Sequence, residues 1–147
     1  MATKYDEVYR KFLSRISDYD FLEFDVSTQY TIMHDYLTSA AADFNDVCRV
    51  DLDDRDELIL QFNTDLTKKE VEILAVGMVC YWLEPKVLST DNLRNALNTK
   101  DYTVFSPSKL FEQIQNAYHT ASQQFRFLKN MYSYRNGDLR TFSDMQG

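Results

Sequence analysis

Residues that break helices are scarce in this chain, with 3 glycines and 2 prolines among 147 residues. Glycine and proline mark turns and end helices, and an all-β protein needs many of them. Their scarcity predicts a mostly helical protein and argues against a glycine-rich phosphate-binding loop. Hydrophobic residues at 44% and charged residues at 27% are typical of a soluble globular protein. We therefore expect a single helical domain rather than a disordered or repetitive chain.

Apolar residues recur at the spacing of an amphipathic helix in several segments. The clearest local signal is a capping box from Thr67 to Glu70, which predicts the start of a nearly all-apolar central helix. Pro85 is expected to end that helix, and Pro107 to open the last one. Thr3 is the expected N-cap of the first helix. The predicted helices cover residues 4–16, 27–49, 67–84, 107–133 and a short helix at about 90–97.

Between the second and third predicted helices the helical period is lost. Apolar residues flank the polar run 53–57, which predicts a short β-hairpin or an extended excursion around 50–66. The predicted fold is therefore all-α, a helical bundle of four main helices plus a short helix, with this excursion and an extended C-terminal arm. The bundle domain is predicted to span 1–133 and the arm 134–147.

The excursion carries the densest group of acids in the chain, namely Asp51, Asp53, Asp54, Asp56 and Glu57. A calcium-binding loop starting at Asp51 would need an oxygen ligand at its fifth position and glycine at its sixth, but Arg55 and Asp56 stand there. We expect a solvated turn that binds no metal ion. The surrounding segment 43–72 has a local charge of −6, against −7 for the whole chain. Such a field disfavours binding to the phosphates of nucleic acid.

Residues suited to catalysis are few. His34 and His119 have no Glu or His at the spacing of a helical metal site, so both are interpreted as partly exposed helix residues. Cys48 and Cys80 are expected to be buried, inert thiols on apolar helix faces. We predict no enzyme activity and no cofactor. The longest nearly apolar stretch, Ile73–Leu83, has 11 residues, too few to cross a membrane.

The order of elements resembles a known family. A helix ends near Phe44, an excursion follows, the string EVEILAVGMVCYWLEP occupies 70–85, and YTVFSP at 102–107 opens a long final helix. Over Lys4 to Tyr132 this arrangement resembles the head-tail connector (adaptor, or head-completion) proteins of tailed bacteriophages.

The resemblance implies a structural role in the virion. It implies a homo-oligomeric ring, twelve-fold in the family, that binds the portal protein and other neck or tail proteins, lines the channel through which the genome DNA passes, and assembles in the host cytoplasm. No catalytic residues are implied. A second hypothesis is a small acidic interaction protein that mimics DNA and inhibits a nucleic-acid-binding enzyme. A mimic needs carboxylates spread over one surface, whereas here they are concentrated in one excursion.

The last fourteen residues show neither helical nor alternating periodicity, and Asn136-Gly137 predicts a turn that separates them from the final helix. One hypothesis is that they pack on their own domain. The other is that they form a docking arm inserted between subunits or onto the portal. Its expected interface residues are Arg135, Leu139, Arg140, Phe142 and Met145.

Overall fold

The protein is mostly helical. The computed structural model describes residues 2–16, 25–98 and 107–135, with side chains described up to residue 89 and again from residue 112. Within these ranges lie four helices, α1 (Tyr5–Arg15), α2 (Val26–Phe44), α3 (Lys68–Asn98) and α4 (Pro107–Ser133). Three two-residue strands accompany them, β1 (Thr3–Lys4), β2 (Arg55–Asp56) and β3 (Gln61–Phe62). The predicted all-α class is confirmed.

Helix α3 is the centre of the packing. It makes its most extensive contacts with α4 and α2, and it also contacts α1. Because neighbours surround it, its N-terminal half is apolar on nearly every side, and Leu74 and Met78 have no exposed surface. The prediction that this segment is the central helix is confirmed.

Helix α3 does not end at Pro85, so the predicted stop and the separate short helix are both wrong. The helix continues through Pro85 to Asn98. Proline removes one backbone hydrogen bond, to the carbonyl of Tyr81, and crowds the preceding turn. The residues after Pro85 contain no further proline or glycine up to Asn98, so the helix resumes beyond it.

The ends of the first two helices also differ from the prediction. Thr3 is not the N-cap of α1: it lies in β1, and its Oγ1 accepts a hydrogen bond of 2.8 Å from the Leu66 backbone. Helix α2 ends at Phe44 rather than at residue 49, because the Asn45 side chain accepts a hydrogen bond of 2.8 Å from the Leu52 backbone and turns the chain. Val47 therefore reaches the core from a turn.

The excursion contains the predicted hairpin, although its turn lies elsewhere. Strands β2 and β3 pair antiparallel, and β1 joins the other edge of β3 to give the order β1-β3-β2. The turn consists of residues 57–60 rather than the polar run 53–57. Leu52 and Phe62 are fully buried, so the apolar residues on either side of the hairpin anchor it to the core.

Helix α4 begins at Pro107 and reaches Ser133, as predicted. Its residues Phe125, Leu128 and Tyr132 are buried, whereas Ala117 is exposed. Tyr134 and Arg135 extend it as a wider π-helical turn. None of the helices in the described ranges combines the length and apolar character needed to cross a bilayer.

Helices α2 and α4 both approach α3 closely at Gly77. A Cβ atom placed on Gly77 would lie 2.8 Å from the Ala40 Cβ and 2.8 Å from the Phe125 ring. Both neighbours are buried, so neither can move away at low cost. Glycine is required here for space rather than for backbone conformation.

We predict that Gly77→Ala destabilises the protein by about 1–3 kcal/mol, although alanine is the better helix former. Chemical denaturation measures the change. As a control, Phe125→Leu in the Gly77→Ala background removes part of the ring and should restore some of that stability. A Gly77→Ala variant more stable than wild type would contradict the close packing.

Candidate functional site

Most of the acids in the hairpin build the loop that carries them. Asp51 Oδ1 accepts a hydrogen bond of 3.0 Å from the Asp53 backbone, and Asp54 Oδ1 accepts one of 2.9 Å from the Asn63 amide. Asp56 Oδ1 accepts from the Leu58 backbone at 2.9 Å. Asp51, Asp53 and Asp54 are exposed. The structure therefore brings the predicted acids together in one loop, where they accept hydrogen bonds from the backbone and from the Asn63 side chain and leave their charge at the surface.

Glu57 ties the hairpin to α1 and α2. Its carboxylate lies 2.6 Å from His34 Nε2, 3.2 Å from the Tyr5 hydroxyl that donates to it, and 3.0 Å from Arg55 Nε. Partial burial acts to raise the pKa of Glu57, but the bond and charge of His34 and the charge of Arg55 hold it below its ordinary value. His34 is partly exposed, as predicted, but the sequence pattern gave no sign of its bond to Glu57.

The turn of the hairpin exposes three consecutive large apolar residues, here called the apolar tip: Leu58, Ile59 and Leu60. Their exposed fractions are 94%, 59% and 45%. Leu60 has a φ of 55°, in the left-handed region that favours glycine. Its carbonyl accepts a hydrogen bond of 3.0 Å from the Tyr5 backbone, which holds it in place. Runs of exposed apolar residues are unfavourable in water unless a partner covers them.

Glu70, at the start of α3, is a charged residue with no exposed surface. The predicted capping box is confirmed: Glu70 Oε1 accepts from the Thr67 backbone at 2.7 Å, and Thr67 Oγ1 accepts from the Glu70 backbone at 3.2 Å. Arg49 lies 3.4 Å from the same oxygen. The second oxygen accepts a bond of 2.6 Å from the Tyr132 hydroxyl. The buried charge is thus paired and hydrogen-bonded, as burial requires.

Tyr132 joins α4 to this network. Its hydroxyl donates to Glu70 and accepts a bond of 2.8 Å from the Arg49 backbone N–H. Its ring packs edge-on against Phe44, with 4.9 Å between centroids. The capping-box pattern predicts Glu70 only as a cap, because its partners Arg49 and Tyr132 lie far away in the chain.

The two cysteines lie in protected settings. Cys80 is buried in α3, and burial raises its pKa to about 11. Cys48 is half-buried in the turn after α2 rather than on a helix, which corrects the prediction for that residue. Its Sγ lies 3.7 Å from Glu70 Oε2, and burial again raises the pKa. A raised pKa keeps a thiol protonated and a poor nucleophile at neutral pH.

A cavity of about 480 Å³ lies beside Glu70, between the start of α3 and the end of α4. We call it the cationic cavity. Its charged lining residues are Arg49, Lys69, Glu70 and Arg135, and its apolar ones are Phe127, Leu128 and Met131. Phe127 is 62% exposed and Met131 38%. This surface combines positive charge with exposed apolar area.

Of the interface residues predicted for the C-terminal arm, Arg135 alone falls within the described part of the chain, where it is exposed and lines the cationic cavity. Leu139, Arg140, Phe142 and Met145 lie outside the described residues. Across 2–16, 25–98 and 107–135, no group of three or more His, Cys, Asp or Glu side chains is placed to hold a metal ion.

The chain was also compared with known proteins. No family model matches it, and neither a curated protein nor a solved structure does.

We predict that Tyr132→Phe lowers the free energy of unfolding by about 1–3 kcal/mol, because it removes the donor to Glu70 and the acceptor for the Arg49 N–H while keeping the ring. Denaturant unfolding measures the loss. Tyr30→Phe, which removes an exposed hydroxyl bonded to Asp6, is the matched control and should change stability little. Equal losses in the two variants would contradict the role assigned to Tyr132.

A second prediction concerns pH. Burial acts to raise the pKa of Glu70, but the hydrogen bonds from Tyr132 and Thr67 and the charge of Arg49 outweigh it, and the pKa lies below its ordinary value of 4.5. A carboxyl whose pKa is lowered by folding stabilises the protein above its unfolded pKa, and this stability is lost as pH falls through the folded value. Melting temperature should therefore drop on acidification below about pH 4.5.

The contribution of Glu70 is isolated by comparison with Glu70→Gln. Because glutamine does not titrate, the gap in melting temperature between wild type and this variant should narrow as pH falls from neutrality towards 3. Glu57→Gln reports the separate contribution of the hairpin carboxylate. A gap between wild type and Glu70→Gln that is constant with pH would contradict a lowered pKa.

Proposed function

We propose that this chain is a structural subunit of a bacteriophage neck, which forms a ring between the portal of the head and the tail and lines the DNA channel. The resemblance in the order of its elements supports this proposal. The observation that carries it furthest is the separation of charge within one small chain, with an acidic, apolar-tipped hairpin beside α1 and α2 and a cationic cavity between α3 and α4. Unlike surfaces on one subunit suit head-to-tail contacts, which close into rings.

The acidic hairpin fits a channel through which DNA slides. The exposed carboxylates of Asp51, Asp53 and Asp54 repel phosphate. A channel lined in this way allows the genome to pass without specific binding, as the resemblance implies. In this proposal the protein is a virion protein of the neck, and it has no enzyme activity and no cofactor.

The finer architecture belongs to the same proposal. Residues 1–133 are proposed to form a helical bundle, and 134–147 a docking arm that attaches the ring to the portal. Leu139 and Phe142 are the apolar anchors, and Arg135 and Arg140 pair with carboxylates of the partner. Arg135 is exposed at the end of α4, which is a suitable position for the base of such an arm.

The second candidate function is a DNA mimic that inhibits a nucleic-acid-binding enzyme. The exposed acids of the hairpin favour it. Leu58, which is 94% exposed at the turn of the same hairpin, argues against it, because an apolar tip has no counterpart on a DNA backbone. A mimic would inhibit a nuclease, and Asp53→Asn with Asp54→Asn would weaken that inhibition.

Light scattering on the full-length protein, alone and mixed with the portal ring of the same virus, tests the proposal. We expect the 17.3 kDa chain to bind the portal as a ring, so that light scattering finds one complex. That ring would contain up to twelve copies if it has the symmetry of the family it resembles. Deleting residues 138–147 should abolish attachment and leave the melting temperature nearly unchanged. Failure of the intact chain to bind the portal would overturn the neck assignment.

A matched pair of variants locates the anchors of the arm. Leu139→Ser with Phe142→Ser should abolish attachment, because both apolar anchors are lost. Asp138→Asn with Asp144→Asn changes the same segment to a similar extent and should leave attachment intact. If the deletion melts the isolated protein while attachment survives, residues 134–147 belong to the fold rather than to an arm.

A further inference from the structure

We propose that the apolar tip of one copy docks into the cationic cavity of a second copy, so that the chain associates with itself head to tail. This inference rests on the proposed function and specifies the contact that would build the ring. It identifies Leu58 and Ile59 as the inserted side chains. It assigns Arg49 and Lys69 the role of receiving the acids beside the tip.

The tip has the features of an inserted element. Leu58 and Ile59 protrude with 94% and 59% of their surfaces exposed. Their position is fixed, because Asp56 accepts from the Leu58 backbone and the Leu60 carbonyl accepts from Tyr5 on α1. A preorganised apolar loop loses little conformational entropy on binding. The tip is therefore built for contact with a partner.

The cationic cavity has complementary features. Its volume of about 480 Å³ is in the range of sites that take small ligands or a few side chains. Phe127 and Met131 offer exposed apolar surface to Leu58 and Ile59. Lys69 and Arg49 keep 54% and 43% of their side chains exposed. The cavity therefore has apolar area flanked by cations, and the hairpin has an apolar tip flanked by carboxylates, so the two surfaces are complementary.

The hairpin and the cavity carry opposite charge. The hairpin carries Asp56 and Glu57 directly before the tip, with 47% of the Glu57 side chain exposed, and the cavity has three cations against the single carboxylate of Glu70, which is already buried and hydrogen-bonded. Opposite charge across an interface speeds encounter and fixes register. A generic acidic partner would satisfy the cations alone, whereas a second copy satisfies both the cations and the apolar surface.

The two surfaces involve different helices. The hairpin turn shares a cavity with Tyr9, Tyr30 and His34 on α1 and α2, whereas the cationic cavity lies between α3 and α4. A tip on one face and a receptor on another make a heterologous contact, which leaves one free tip and one free cavity after each addition. Repetition of such a contact closes into a ring when the rotation allows it.

The test uses two variants of the full chain and their mixture. Leu58→Ser with Ile59→Ser removes the tip, and Lys69→Glu with Met131→Ser reverses one charge and removes apolar surface in the cavity. All four side chains are exposed or lie at the rim, so the fold should persist, as circular dichroism and melting temperature will show. Sedimentation should find wild type associated and each variant alone at the monomer mass of 17.3 kDa.

Mixing the two variants gives the decisive result. The tip variant keeps an intact cavity and the cavity variant keeps an intact tip, so together they should form a 1:1 dimer that grows no further. A wild type that is monomeric at every concentration, or variants that associate as wild type does, would overturn the inference. So would a mixture that stays monomeric.

Cross-linking provides a second readout. Chains carrying Leu58→Cys and chains carrying Met131→Cys, mixed and treated with a short bismaleimide, should give a cross-linked dimer. Ala42→Cys, at an exposed position on α2, replaces Leu58→Cys as the matched control and should give none. Binding to the portal ring is measured separately. If the tip variant still attaches to the portal as wild type does while its self-association is unchanged, this contact is wrong and the neck assignment stands.

Discussion

The fold depends on how one buried carboxylate is satisfied. Glu70 has no exposed surface, so its charge costs several kcal/mol unless partners surround it. Those partners come from three places in the chain: Thr67 at the start of α3, Arg49 in the connection after α2, and Tyr132 near the end of α4. Satisfying Glu70 therefore fixes the position of α4 and of the connection relative to α3. The cationic cavity lies beside this junction, and all four residues of the junction line it.

The hairpin is also attached to α2, through the connection that follows that helix. Asn45 ends α2 and holds the Leu52 backbone, while Leu52 and Phe62 fill the core on either side of the exposed turn. The hairpin is thus anchored at its base and, through Glu57 and the Leu60 carbonyl, in its turn, while the Leu58 and Ile59 side chains stay exposed. This arrangement explains how a loop with high charge and exposed leucine and isoleucine keeps a defined shape.

Sequence patterns predicted the features that depend on local physics. The capping box at Thr67, the start of α4 at Pro107 and the central place of α3 are fixed by neighbours in the chain or by an unbroken apolar run. The continuation past Pro85 was not predicted, because one proline removes only one backbone hydrogen bond and no other helix breaker follows it up to Asn98. The turn at 57–60 was missed because its residues are poor turn formers, and Asp56 and Tyr5 supply the bonds that hold it. The network of Glu70, Arg49 and Tyr132 joins distant residues and leaves no local pattern.

The order of the small sheet has a kinetic consequence. Strand β3 lies between β2, which precedes it by a four-residue turn, and β1, which begins at Thr3 and pairs with Phe62. The first pairing closes a very short loop. The second must bring together residues 59 positions apart, and the larger entropy cost of closing so long a segment makes it slower. The hairpin can form early and alone, and the N-terminal strand completes the sheet last.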